Sequence, residues 1–97
     1  MRIEWTRNAR RDLDDIFAYI AKDSSFQASR FLGKLARSAR PLSSFPELGR
    51  ALRESDDPKV RELLFQNYRL IYRIESDVIK ILAVVHSARD IGIPSED

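Results

Sequence analysis

The sequence predicts an α+β domain in which two antiparallel helices pack on one face of an antiparallel sheet. Three runs rich in β-forming residues are separated by breaks of only two polar residues, and they lie at 60–65, 68–75 and 78–86. Runs joined so closely are typical of a three-stranded antiparallel meander. The chain before the meander holds two stretches whose apolar residues recur at helical spacing. Because the helices and the sheet each have an apolar side, the economical arrangement is two packed layers.

The first predicted element is a short strand at residues 2–5, added at the edge of the meander. Thr6 follows it and offers a hydroxyl as the N-cap of a helix that begins at Arg7 or Asn8. The buried stripe of this helix is predicted to consist of Ala9, Leu13, Ile16, Phe17, Ile20 and Ala21. The charged residues between them, including Asp12, are expected to point mostly outward.

A second helix is predicted from Phe26 to about Arg40, where Pro41 stops the pattern. The polar break at 23–25 supplies its cap, and a break this short implies an antiparallel pair of helices. Its buried stripe is predicted to be Ala28, Phe31, Leu32, Leu35, Ala36 and Ala39. Its outer face is basic, with Arg30, Lys34, Arg37 and Arg40.

The segment at 43–59 is the least regular part of the chain, with several turn residues. A loop this long is unusual in a compact domain, so we expect it to be ordered by packing of Phe45, Leu48 and Leu52. The chain contains no internal repeat and no linker. A single domain over residues 1–97 is therefore predicted.

The middle run of the meander alternates with the two-residue period of a strand. One predicted face carries Tyr68, Leu70, Tyr72 and Ile74, and the other carries Arg69, Ile71, Arg73 and Glu75. The last run is apolar at nearly every position, which is typical of a central strand covered on both sides. We expect the helices to cover the first face and the opposite face to be concave or open.

Composition excludes several classes of function. The formal charge of +2 is too balanced to demonstrate nucleic-acid binding. With no cysteine and one histidine, the chain offers no disulfide, no thiolate chemistry and no zinc-like ligand spacing. Its three glycines are isolated, so a phosphate-cradling loop is absent. No signal peptide or membrane-spanning run is apparent, so we expect a cytoplasmic protein with no membrane contact and no cofactor.

Three stretches carry a family resemblance. The run NYRLIYRI at 67–74, followed by an apolar strand and HSARD at 86–90, resembles the C-terminal half of the ParE/RelE superfamily of bacterial toxins from toxin–antitoxin pairs. The run DLDDIFAYI at 12–20 resembles the first helix of the ParE branch. The similarity spans residues 3–90.

The ParE branch implies a toxin of a type II toxin–antitoxin system, which inhibits growth by binding a target such as DNA gyrase. The RelE branch is the alternative and implies a ribosome-dependent endoribonuclease that cleaves mRNA. In that branch the arginine of the Tyr-Arg pair, matched by Arg69, is catalytic, and Arg89 matches a further basic residue. The tail, however, lacks the tyrosine usual in that branch and ends in acidic residues. The near-neutral charge also fits poorly with docking on ribosomal RNA. The non-enzymatic function is therefore favoured.

The predicted target-binding residues are Arg69, Arg73, His86 and Arg89, which the meander is expected to bring near one end of the sheet. In the ribonuclease alternative, Arg69, His86 and Arg89 are catalytic, because histidine can exchange a proton near neutral pH and arginines can stabilise the phosphorane. A structural interpretation competes with both. It places Arg69 and Arg73 on the solvent side of the strand, paired with Glu62 or Glu75 across it, and makes His86 a hydrogen-bonded residue at a strand end.

The resemblance also implies a partner, a cognate antitoxin that neutralises the toxin and forms a hetero-oligomer with it. We predict that Arg30, Lys34 and Arg37 bind it, because a basic helix face suits an acidic partner. The groove along the helices and an exposed sheet edge are suitable receptors. The competing interpretation is a solvated helix surface.

Overall fold

A computed structural model describes residues 1–87 of the chain, so the predicted site residue Arg89 lies outside the described residues. The elements in chain order are β1 (Arg2–Trp5), α1 (Arg7–Ala21), α2 (Ser25–Ser38), a 3₁₀ helix (Arg40–Ser43), β2 (Arg50–Ala51), β3 (Val60–Phe65), β4 (Tyr68–Ile74) and β5 (Val78–His86). The predicted α+β order of strand, two helices and meander is confirmed.

The strands form one five-stranded sheet in the order β1-β5-β4-β3-β2. Strands β3, β4 and β5 are the predicted antiparallel meander, and β1 is the predicted edge strand, paired parallel to β5 with Ile3 opposite Ile79. The short strand β2 was not predicted and pairs antiparallel with β3. The parallel pair requires a long crossover, which the rest of the domain supplies.

Local chemistry fixes where the helices begin. The Thr6 hydroxyl accepts a hydrogen bond from the Ala9 N–H at 3.2 Å, so α1 begins at Arg7 as predicted. The Ser24 hydroxyl accepts from the Gln27 N–H at 3.1 Å and caps α2 in the same way. The second helix ends at Ser38, earlier than predicted, because the chain tightens there into the proline-containing 3₁₀ helix. Among the described residues, neither helix is long and apolar enough to cross a membrane.

The two faces of the sheet have separate cores. On the helix side, Leu70 and Tyr72 of β4 are fully buried with residues of both helices. On the opposite side, which we call the far face, Ile71 is fully buried with Leu82 and Leu52. The predicted alternation of β4 is therefore confirmed. The far face is not simply open, because the segment after β2 lies over part of it.

Some predicted core residues are exposed. Leu52 is buried as predicted, but 65% of Phe45 and 53% of Leu48 remain accessible, so the prediction that these two order the irregular segment is wrong. Phe17 and Ala36 are also exposed, although both were predicted on buried helix stripes. Phe17 lies at the border of its stripe, where a helix turns from the core towards solvent.

A β-bulge in β5 joins the sheet to α1. Tyr72 lies opposite Ile81 and Ile71 lies opposite Ala83, so Leu82 is an extra residue in β5. Its carbonyl accepts a hydrogen bond from Asn8 Nδ2 at 2.9 Å.

Beyond the end of β1, the first turns of α1 satisfy the open edge of β5. The Thr6 hydroxyl donates to the Ile81 carbonyl at 2.9 Å, and Asp12 Oδ2 accepts from the Val84 N–H at 2.8 Å. Asp12 was predicted to point outward. It is half-buried instead, because it takes the place of a strand partner.

Candidate functional site

Arg69 lies at the centre of a buried ion network on the far face. Its side chain is 4% exposed, and its Nε donates to Glu62 Oε1 at 2.6 Å. Both terminal nitrogens bind the Glu54 carboxylate, Nη1 to Oε2 at 3.0 Å and Nη2 to Oε1 at 2.7 Å. Glu62 also accepts from Arg50 Nε at 2.8 Å. The carboxylates therefore occupy the donor positions that a phosphate or another anion would use.

The charges of this network stabilise one another. The hydrogen bonds from Arg69 lower the pKa of Glu54 to about 2. The same hydrogen bonds, together with those to Glu62, raise the pKa of Arg69 above its already high ordinary value. Both groups stay charged at physiological pH, and Arg69 has no proton to exchange in acid–base chemistry.

Arg73 belongs to a second ion pair on the same face. Its Nη1 donates to Asp57 Oδ2, and its Nε lies 3.5 Å from Glu75 Oε2. The pKa of Asp57 is lowered, first by the hydrogen bond from the Lys59 N–H and then by Arg73. The pairing of Arg69 with Glu62 across the strands was predicted and is observed. Arg69 is buried, however, and not on the solvent side, and Glu75 reaches Arg73 from two residues along the same stretch of chain and not from across the sheet.

Three contacts hold residues 52–59, which we call the strap, against the far face. Leu52 packs into the far-face core, Glu54 binds Arg69, and Asp57 binds Arg73. Because these contacts are spaced along the strap, the irregular segment lies in a defined position without regular secondary structure.

His86 lies on the other side of the sheet from Arg69. It pairs with Tyr68 across the strands, and its ring meets the Tyr68 ring edge-on at 5.9 Å between centroids. Tyr68 in turn packs against Phe31 of α2, with ring centroids 5.7 Å apart, which places this pair on the helix side. The described members of the predicted target-binding set therefore do not form one cluster. Their role towards a target stays a prediction.

The predicted antitoxin-binding residues are placed as the helical period requires. Arg30, Lys34 and Arg37 are all exposed and follow one another at spacings of four and three residues along α2. They form a basic stripe on the side of the helix that faces away from the sheet. That these residues bind an antitoxin stays a prediction.

Sequence reasoning missed an anchored loop at 44–49. The Tyr72 side chain is fully buried, and its hydroxyl donates to the Pro46 carbonyl at 2.7 Å and accepts from the Gly49 N–H at 3.0 Å. A Cβ atom on Gly49 would lie 2.4 Å from the Glu62 carbonyl oxygen, so only glycine fits there. The turn pattern Phe-Pro-Glu-Leu-Gly at 45–49 was the available signal, because it holds two turn formers, Pro46 and Gly49, three residues apart.

In residues 1–87, no three His, Cys, Asp or Glu side chains are placed so that they could hold a metal ion. The charged groups on the far face are instead arranged as arginine–carboxylate pairs. This geometry positions chain segments. Exposed basic groups also line α2, and exposed apolar groups lie on the 44–49 loop.

These features define a small α+β domain in which a strand and a pair of helices precede a meander that buries the charged pair of Glu62 and Arg69. The chain belongs to the ParE toxin family of type II toxin–antitoxin systems (parDE), whose family model matches residues 3–91.

Two relatives illustrate the similarity. A protein of Sinorhizobium fredii with the name "Putative toxin Y4kP" is 39% identical over 88 residues, which cover 89% of this chain and 88% of that protein. A solved structure described as a chromosomal ParDE TA system from P. aeruginosa superposes with a TM-score of 0.74 at 26% identity. That match covers 89% of this chain and 95% of the other. The predicted membership in the ParE branch is confirmed.

Proposed function

We propose that this ParE-like toxin arrests growth by binding a protein target in the cytoplasm, with DNA gyrase as the candidate, and that a cognate antitoxin neutralises it by forming a complex with it. Family membership supports the coarser statement, a toxin of a type II toxin–antitoxin system. The target and the mode of neutralisation are the proposed part.

The observation that carries the non-enzymatic mode is the burial of Arg69 between two carboxylates. A ribonuclease needs exposed cations to stabilise charge on the phosphorane. Arg69 is only 3% exposed, and it contacts Glu54 and Glu62. Releasing it would take the shared cation from two carboxylates, one of them buried, and this is costly. His86 lies on the opposite face of the sheet, so its ring and the Arg69 guanidinium do not point towards one phosphodiester.

The test is pulse labelling of DNA and protein synthesis in bacteria immediately after the chain is expressed without its antitoxin. We expect DNA synthesis to stop first, with a DNA-damage response. Co-expression of the antitoxin from the adjacent gene is the control and should restore growth. If translation stops first, the ribonuclease alternative replaces this proposal.

A second assay uses purified components. The chain should inhibit supercoiling by DNA gyrase in vitro, and prior mixing with antitoxin should remove the inhibition. An antitoxin-bound chain that still inhibits gyrase would contradict the proposed neutralisation.

A further inference from the structure

The 44–49 loop is held rigidly although it lies at the surface. The Tyr72 hydroxyl binds both the Pro46 carbonyl and the Gly49 N–H, and Arg61 Nε donates to the Gly49 carbonyl at 2.8 Å. Tyr72 itself is fully buried in the helix-side core. Three hydrogen bonds to a six-residue loop restrict its conformations before any partner arrives. Such preorganisation lowers the entropic cost of binding.

This loop presents two large apolar side chains to solvent. Phe45 is 65% exposed and Leu48 is 53% exposed, and residues 44–48 line an open depression of about 440 Å³. A single exposed apolar residue is ordinary on a protein surface. Two of them beside a depression, on a loop fixed by a buried tyrosine, have the arrangement of an anchor site for a partner's apolar side chain.

Exposed arginines flank the loop along the chain. Arg50 and Arg53 follow the loop, and their side chains are 68% and 75% exposed. Arg40 precedes it and is exposed as well, and within the loop Glu47 is the acidic residue. Although Arg50 contacts Glu62 and Arg53 lies near Glu54, both guanidinium groups remain largely open to solvent. A partner with carboxylates around an apolar residue therefore matches this surface in charge.

The loop also follows α2 closely along the chain. Only Ala39 separates the helix that carries Arg30, Lys34 and Arg37 from the 3₁₀ helix that begins at Arg40, and the loop follows that 3₁₀ helix. A second copy of this chain would place arginines against arginines, which is unfavourable.

We propose that the 44–49 loop binds an acidic segment of the antitoxin, with one apolar side chain of that segment seated between Phe45 and Leu48 and its carboxylates near Arg50 and Arg53. This inference rests on the proposed function, because it identifies a contact site of the neutralising partner.

The test is calorimetric titration of the full chain with the antitoxin encoded beside it. The double variant Phe45→Ser/Leu48→Ser should lose affinity about 10- to 100-fold, as for an interface anchor. Leu64→Ser is the matched control, because Leu64 is a comparably exposed apolar residue on β3 and not on the helices or the loop, and the affinity of this variant should be unchanged. Arg53→Gln should lose roughly two- to fivefold and bind with a weaker dependence on salt.

Because the substituted side chains are exposed, thermal unfolding of these variants should stay close to that of the wild type. If the double variant unfolds, Leu48→Ser and Arg53→Gln decide the question separately. Unchanged antitoxin affinity in the folded variants would overturn the inference. Loss of growth arrest with unchanged antitoxin affinity would also overturn it, because the loop would then belong to the target interface. If the wild-type chain binds no antitoxin, the proposed function fails first, and the inference fails with it.

Discussion

The two faces of the sheet are stabilised in different ways, although they share the strands β4 and β5. On the helix side, apolar residues of both helices cover Leu70 and Tyr72. On the far face, the strap lies over the sheet through one apolar residue, Leu52, and two sets of ion pairs. The helix side therefore supplies apolar burial, and the far face fixes the position of an irregular segment.

The difference has an energetic consequence. Apolar burial stabilises in proportion to the area removed from water, at roughly 25 cal/mol per Å². A buried ion network gains much less overall, because desolvation offsets the attraction between its charges, but it is costly to break on one side only. We infer that the network around Arg69 mainly selects one position for the strap. On the far face, a second substitution should therefore be able to restore the stability lost in the first. On the helix side, it should not.

The largest effect is expected for Arg69→Ala. The variant leaves Glu54 and the buried Glu62 without their shared cation, so the free energy of unfolding should fall by about 3–5 kcal/mol. Urea denaturation measures this. Leu35→Ala is the matched control on the helix side and should cost a similar amount, about 2–5 kcal/mol, through the cavity it leaves.

The losses of stability at Arg69 and at Leu35 should differ in whether further substitutions can restore it. When Arg69 is replaced by Met, adding Glu54→Leu and Glu62→Leu should recover most of the lost stability, because no buried charge then lacks a partner. No such rescue is available for the cavity at Leu35. An Arg69→Ala loss below about 1 kcal/mol would show that the network behaves like an ordinary surface ion pair.

A smaller effect is expected for Tyr72→Phe, which keeps the helix-side packing and removes only the hydroxyl. The Pro46 carbonyl and the Gly49 N–H lose their partner, which should cost roughly 1–3 kcal/mol. The Gly49 amide should also exchange faster with solvent in NMR. Tyr19→Phe is the control and should change neither quantity, because the Tyr19 side chain is exposed to solvent. Unchanged exchange at Gly49 would mean that the hydroxyl does not hold the loop.

The smallest effect is the pH dependence of the network. The pKa of Glu54 is about 2 in the folded chain against an ordinary value of 4.5, so its contribution is complete above about pH 4.5 and is lost as the pH falls towards 2. The lowered pKa of Asp57 acts in the same direction. Glu54→Gln should therefore flatten the acid side of the stability curve. If the Glu54→Gln variant lost stability at low pH as steeply as the wild type, the acid sensitivity would not come from Glu54.

The sequence predicted those parts of the fold that are determined by residues close together in the chain. The two polar breaks predicted the meander, Thr6 predicted the start of α1, and the alternation of β4 placed Leu70 and Ile71 on opposite faces. The partner Glu62 was also predicted, because it lies on the strand next to Arg69. Each of these depends on neighbours in the chain or on strands joined by a short turn.

The features that were not predicted correctly depend on contacts between residues far apart in the chain. Glu54 reaches Arg69 from an irregular segment that no periodicity describes. The bulge at Leu82 depends on how β5 meets α1, and Asp12 is drawn inward by the open strand edge there. Phe45 and Leu48 looked like core residues because they are apolar. Their exposure follows instead from the Tyr72 hydroxyl, which fixes the backbone of the loop at the surface.

We infer that the charged residues of the far face serve to hold the strap, and this inference competes with the prediction that Arg69 and Arg73 bind the target. The most direct test expresses the triple variant Arg69→Met/Glu54→Leu/Glu62→Leu without antitoxin, with circular dichroism of the purified chain as the check on folding. We expect that the folded variant still arrests growth and that the antitoxin still neutralises it. A folded triple variant that no longer arrests growth would contradict it, since the network would then act on the target itself.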